Sequence, residues 1–204
     1  MAITFLRHGS NGALIVGLIA LALSSAISGP ALSPLWILVG AILFYASEYV
    51  WHRFVFHAPP ARWPGLRALQ RRLHYDHHAQ PSRLDLLFLP LWFLAPVLAA
   101  NAALFAVIFG VAAVAPMVFG VGLAILYYEW THYVAHIPYQ PRTAWGRYIK
   151  RYHLRHHFIS EKFWFGVSNP SFDYVYGTCP EPKAVEKSPY VRDLFGEHAA
   201  DGLR

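Results

Sequence analysis

The chain has a single cysteine, Cys179, in 204 residues. No disulfide can form within it, so a disulfide-stapled secreted fold is excluded. Charge is scarce too: Asp, Glu, Lys and Arg make up 14% of the residues, against about 25% in an average soluble chain. None of the four occurs in residues 8–47 or 86–128. A bilayer span takes about 20 mostly apolar residues, so each tract is long enough for two spans joined by a tight turn. A soluble globule is excluded. The chain also lacks a Gly-rich phosphate loop and a basic helix free of apolar tracts, so the net charge of +6 speaks for membrane topology, with no nucleic-acid partner.

Gly29-Pro30 divides the first tract into spans near 13–28 and 35–51. A weaker break around 110–116 divides the second into spans near 86–109 and 117–131. The apolar runs do not alternate with polar positions, so the spans are helices, not barrel strands. Arg7 precedes the first span, six Lys or Arg lie in 53–83 and ten in 142–204, with none in either turn. The positive-inside rule places both termini and the segments 52–85 and 132–204 in the cytoplasm. The first span, flanked by Arg7 and small residues, also fits a secretory signal cleaved near Ser28; its loss would leave the orientation unchanged. The expected fold is an all-α integral membrane protein, one domain over 1–204. Four transmembrane helices in two hairpins carry a cytoplasmic helical cap. No internal repeat is evident along the chain.

What the chain has in abundance is histidine, twelve in all, and ten fall in four clusters: His52 and His57; His74, His77 and His78; His132 and His136; His153, His156 and His157. On a helix, positions i, i+3 and i+4 share a face, so each triplet is expected to present three imidazoles to one side. His52 and His57 lie five apart, about 140° around a helix, and converge only if the span bends or ends there. Uncompensated imidazoles at this density would cost desolvation and repel when protonated; metal binding removes both problems. Ten nitrogen ligands exceed what one ion takes, so two ions with about five imidazoles each are expected. Imidazole suits iron, zinc and copper alike. His8 and His198 stand alone and are read as ordinary surface residues.

A metal-bound His usually donates its other ring nitrogen to a carboxylate or carbonyl. Glu48 and Glu129, one turn before His52 and His132, are the expected partners, with Asp76 a further candidate. Most of the Tyr and Trp suit a membrane interface. Arg67, Arg71, Arg72, Arg147, Lys150 and Arg151 form a solvated basic face toward anionic lipid headgroups, or grip a substrate headgroup. A dinuclear site at the mouth of an apolar bundle points to a lipid substrate. Attack on an unactivated C–H bond needs a redox metal and dioxygen, so two iron ions with O2 as co-substrate are expected, zinc being possible in purified material, and the ten His act as ligands, not as acid or base catalysts.

The run His-x4-His, His-x2-His-His, His-x3-His, His-x2-His-His resembles the fatty acid hydroxylase and sterol desaturase superfamily. Glu48-Tyr49 before His52-Arg53-Phe54, residues 128–133, and Phe165-Gly166-Val167-Ser168-Asn169-Pro170 leading to Asp173-Tyr174-Val175-Tyr176-Gly177-Thr178 are similar to the fatty acid (sphingolipid) 2-hydroxylase branch, over about 45–180. The resemblance implies hydroxylation of an acyl chain at the carbon beside the carbonyl, with the ten His holding two metals. Glu129 stands where that branch usually has Asp. Many eukaryotic members carry a fused haem domain at the N-terminus; seven residues before the first tract cannot form one, so a separate electron-donor protein is expected, and a bacterial inner membrane over an endoplasmic reticulum. Rival readings are a carotenoid ring hydroxylase, a lipid desaturase, a zinc-dependent membrane hydrolase, for which ten ligands overfill the site, and a metal transporter, which would place ligands at the bilayer midplane.

Overall fold

The computed structural model describes residues 2–27 and 31–196. The predicted break at Gly29-Pro30 and His198 lie outside the described residues, which contain helices and no strand. Four stretches are long and apolar enough to cross a membrane: Gly9–Ile27, Pro34–Phe56, Leu84–Phe109 and Val111–His136. Two compact units emerge, one of residues 1–46 and 89–130, the other of residues 47–88 and 131–204.

The first unit holds α1 (Ala2–Arg7), α2 (Gly9–Ile27), α7 (Leu91–Phe109) and most of α3 (Pro34–Trp51) and α8 (Val111–His136). Its helices are apolar on every side. Leu14, Leu18, Leu94, Phe105, Met117, Val121 and Ile125 pack inward, while Val16, Ile27, Val107 and Val111 face outward. A helix hydrophobic all round belongs in a large core or in lipid. Asn101 Nδ2 donates to Val97 O at 2.8 Å, a local bond of the kind lipid requires of a polar side chain. Where α3 crosses α8, a Cβ on Gly40 would stand 2.2 Å from Met117 O and one on Gly120 2.0 Å from Ile37 O. Only glycine admits that approach, and small residues are what bring helices together where lipid removes the hydrophobic drive.

The fourth helix corrects the predicted boundary. It starts at Val111, six residues before the expected start at 117, and the break shrinks to Gly110, whose φ of 84° only glycine adopts freely. Pro116 sits inside α8, as Pro96 sits inside α7. Both come in the second turn, where few carbonyls precede them, and neighbouring helices tolerate such prolines in membranes.

The second unit carries all ten clustered histidines. After α3 the chain passes through a π-helical turn, His52–Phe56, then α4 (Pro64–Gln70), a second π turn (Arg71–Tyr75), α5 (Asp76–Ala79) and α6 (Leu84–Leu87); after α8 come α9 (Ala144–Phe158) and α10 (Ser171–Tyr176). Pro64 opens α4 at a position where its missing N–H costs nothing. Thr143 caps α9 by accepting from Gly146 N at 3.0 Å. Two side chains staple the loops before the His triplets. Gln70 accepts from Ala61 N and donates to Val55 O, at 2.9 and 2.8 Å. Lys150 Nζ donates to the carbonyls of Val134, Ile137 and Tyr139, at 2.8 to 3.0 Å.

Candidate metal centre

The structure gathers the ten histidines into two groups. His52, His57, His74, His78 and His156 form one, and His77, His132, His136, His153 and His157 the other; within each, one nitrogen per ring lies within 4.8 Å of all the rest. Each group can hold a metal ion. The expectation that each triplet faces one way is corrected: both split two to one, with His77 crossing to the second group and His156 to the first. Positions i+3 and i+4 fall about 100° apart around a helix, on opposite sides of residue i, and that angle separates two sites.

The five-residue spacing of His52 and His57 is resolved by the backbone. His57 N donates to His52 O at 3.1 Å, an i to i+5 bond that closes a π turn, where the fifth residue returns to the starting face. Their ring centroids stand 5.0 Å apart, against 5.1 Å for His132 and His136 on ordinary helix.

A repeat that the sequence alone had not disclosed becomes visible here. His57, His74, His77 and His78 each precede by 79 residues His136, His153, His156 and His157, while His52 precedes His132 by 80; the π turn absorbs the extra residue. The ring geometry follows the repeat. The pairs His52–His74 and His132–His153 are both 4.7 Å apart, His52–His156 and His132–His77 both 4.6 Å, and His74–His78 and His153–His157 4.6 and 4.5 Å. The equivalent residues His57 and His136 are the half-exposed members of their groups.

The ring nitrogens fit a cation. Nε2 atoms approach to 2.6 Å in His57–His74, 3.1 Å in His78–His156, 3.0 Å in His77–His132 and 2.9 Å in His136–His153. An ion about 2.1 Å from each nitrogen sets neighbouring ligands of an octahedron about 3.0 Å apart. Protonation sharpens the case. His78 Nδ1 faces Val191 O and His156 Nδ1 faces Phe163 O, at 2.9 and 2.8 Å, and His52 Nδ1 faces Phe165 O. A carbonyl only accepts, so the proton of each neutral ring sits on Nδ1 and Nε2 is a bare lone pair. Two such lone pairs face each other between His78 and His156, and His52 Nε2 is buried with no hydrogen-bond partner. Burial, reinforced by neighbouring rings, holds His57, His74, His78, His153, His156 and His157 well below the ordinary imidazole range. Burial takes His77 down to about 3. Neutral rings are the form that binds metal.

The expected orienting carboxylates are a correction. Glu48 does not reach a histidine ring: it accepts from Val167 N at 2.7 Å, Ser168 N at 3.1 Å and Ser168 Oγ at 2.5 Å. Glu129 accepts from Leu89 N at 2.9 Å, and its other oxygen is buried without a partner. Asp76 lies 3.9 Å from Arg71 Nε. Orientation comes from the backbone carbonyls of Phe163, Phe165 and Val191, which leave no mark in a sequence. Trp164 between the first two is buried and has a φ of 59°, rare for a bulky residue. This reversal serves two carbonyls to two rings of one group.

Asp173, which sequence reasoning placed only within a resembling stretch, fastens that loop. Its carboxylate accepts from Phe165 N at 2.9 Å, Gly166 N at 2.6 Å and Thr178 Oγ1 at 2.6 Å. Burial pushes the carboxyl up, against the pull of these donors. Glu48 and Asp173 together hold four consecutive amides, 165 to 168. His8, outside both groups, hydrogen-bonds Ser10 Oγ at 3.2 Å.

Comparison with known proteins gives the family. The family model described as fatty acid hydroxylase matches residues 37–178. The chain is 33% identical over 185 residues to dihydroceramide fatty acyl 2-hydroxylase FAH1 of Arabidopsis thaliana, covering 85% of this chain and 72% of that protein. It is 32% identical over 154 residues to fatty acid 2-hydroxylase of Rattus norvegicus, covering 73% of this chain and 40% of that protein. The chain thus spans less than half the rat protein's length. The solved hydroxylase domain of scs7p shares the fold, with a TM-score of 0.73 at 23% identity over 87% of this chain and 67% of that one. The chain belongs to the fatty acid hydroxylase family, a class of membrane oxidoreductases.

Proposed function

We propose that this protein hydroxylates a lipid acyl chain at the carbon next to its carbonyl. One observation carries the reading: the bare Nε2 lone pairs of His78 and His156, 3.1 Å apart in a buried cluster, within a chain similar over 85% of its length to an acyl 2-hydroxylase. His52, His57, His74, His78 and His156 hold one ion and His77, His132, His136, His153 and His157 the other. Iron is the metal proposed, because insertion of oxygen into an unactivated C–H bond needs a redox metal; when bound, it supplies dioxygen activation. The balance is one C–H bond and one O2 with two electrons and two protons, giving one C–OH and one water. A separate donor protein is proposed as the source of the electrons.

The chain's own residues position and exclude. Glu48 and Asp173 fix the 165–168 loop, the carbonyls of Phe163, Phe165 and Val191 lock three ring orientations, and the surrounding burial keeps water from the rings. The Lys and Arg distribution supports a cytoplasmic face for the segments 52–85 and 132–204, within one functional domain. FAH1 and the rat protein are eukaryotic, so the bacterial compartment expected above draws no support from them. The activities of these two relatives favour an acyl chain over a carotenoid ring, and hydroxylation over desaturation. Five nitrogen donors for each ion overfill a hydrolytic zinc site, which takes three protein ligands and keeps a position open.

The test is mass spectrometry of total lipids from a host expressing the chain, grown with and without oxygen. A gain of one oxygen on acyl carbon 2, seen only aerobically, is the expected result. Oxygen on a carotenoid ring, a new double bond, or no change alongside metal-loaded protein overturns the proposal.

A further inference from the structure

A cleft of about 440 Å³ opens beside His136, the half-exposed member of the second histidine group. Gln80, Ser82, Arg83, Lys150 and Arg192 line it together with apolar side chains, and no Asp or Glu does. Three cations therefore converge on a space without a lining carboxylate, next to a residue of the candidate metal site. Volumes of about 300–1,000 Å³ hold whole small molecules, so the cleft exceeds what a bare carboxylate terminus fills.

The cations differ in how they are committed. Arg83 is paired with Asp85 at 2.5 Å on the exposed rim. Lys150 is fixed by three carbonyls, which orient its ammonium without cancelling its charge. Arg192 lies 4.7 Å over the Phe158 ring, a contact that places the guanidinium and leaves its charge intact. It directly follows Val191, whose carbonyl holds His78, so its backbone is anchored to the first group while its side chain lines a cleft that reaches the second. Two uncancelled positive charges in a partly enclosed cleft favour an anion, and Arg forks suit phosphate oxygens.

Reaction chemistry says what that anion belongs to. Oxidation at acyl carbon 2 leaves one bond between the reacting carbon and the carbonyl, so everything beyond the carbonyl must lie just outside the metal site. We propose that the cleft lined by Arg83, Lys150 and Arg192 beside His136 is the subsite for the phosphate-bearing headgroup of the lipid substrate. This rests on the acyl hydroxylase reading and narrows it to a phospholipid. Gln80 and Ser82 supply neutral hydrogen-bonding groups for the remainder of the head.

The test compares binding of three probes to the purified full chain, metal-loaded and in neutral detergent: dioctanoyl phosphatidic acid, dioctanoylglycerol and octanoic acid. Phosphatidic acid is expected to bind at least about tenfold tighter than dioctanoylglycerol, roughly the effect of one charge-assisted hydrogen bond, and the margin shrinks with added salt. In the variant Arg192→Gln the margin should fall about threefold or more, Lys150 sustaining the rest, with dioctanoylglycerol affinity and metal content unchanged. Equal binding of the two glycerolipids, tighter binding of octanoate than of phosphatidic acid, or a margin unchanged in Arg192→Gln overturns the subsite. Headgroup-blind hydroxylation of added lipids sinks the subsite alone. A headgroup margin with no hydroxylated product from any lipid upholds the subsite and sinks the hydroxylase reading.

Discussion

His78 and His157 stack face to face, 4.1 Å between centroids and 25° between ring planes, although they belong to different histidine groups. They are equivalent residues of the 79-residue repeat, and their partners cross over: His77, next to His78, joins the group of His157, and His156, next to His157, joins the group of His78. Each triplet therefore straddles both sites. A shift of either helix disturbs both groups at once.

His77→Ala removes a ring that the first repeat lends to the second group. The variant is expected to lose the second ion while keeping the first, and to lose turnover. His8→Ala, in contrast, leaves both untouched. Elemental analysis of the purified variants checks this, and a full metal complement in His77→Ala would contradict the ligand assignment.

The two groups also differ in support. Carbonyls of Phe163, Phe165 and Val191 hold three rings of the first; in the second, Nδ1 of His77, His153 and His157 is buried without a partner. Outer partners of this kind change metal affinity by about 10–100-fold. Titration of metal-free protein should show two steps, with the first group filling first. A single step with equal affinities would contradict it.

Much of this was legible in the sequence, and the rest was hidden for identifiable reasons. The charge-free tracts announce four spans, and the His clusters mark ten rings for two ions without showing which five belong together. The split of each triplet is obscured because i+3 and i+4 both lie near the face of residue i, whereas His77 and His78 differ by about 100°. The π turn at His52 is a backbone event, yet the five-residue spacing that created the difficulty was its signature. The repeat was masked because the residues between its histidines differ. Helical proximity points Glu48 and Glu129 at the rings, but the amides of the 167–168 loop and of Leu89 compete for the same oxygens and win.

Asp173→Ala strands the buried amides of Phe165 and Gly166, while the Thr178 hydroxyl keeps its bond to Tyr49 Oη. Each stranded donor costs about 1–3 kcal/mol, so the unfolding midpoint should fall. Because Phe165 O also holds His52, metal affinity of the first group should fall with it. Asp173→Asn, which keeps one acceptor oxygen, should recover part of both. Unchanged metal affinity in Asp173→Ala would show that the loop does not position the ring.

Acid should destabilise the metal-free protein. His57, His74, His77, His78, His153, His156 and His157 are held below their ordinary value by burial, whereas the unfolded chain takes up protons near pH 6.5. The stabilising contribution is therefore complete above about pH 6.5 and is lost as pH falls toward the depressed values, about 3 for His77. A thermal midpoint that stays level from pH 7 to pH 4 would contradict the buried neutral rings.

The most direct measurement is the transition-metal content of the full-length protein, produced in metal-replete cells and purified without chelators. Two ions per chain, with iron supporting turnover, is the predicted result. Less than one ion per chain would leave the paired imidazole groups without their purpose and contradict the account.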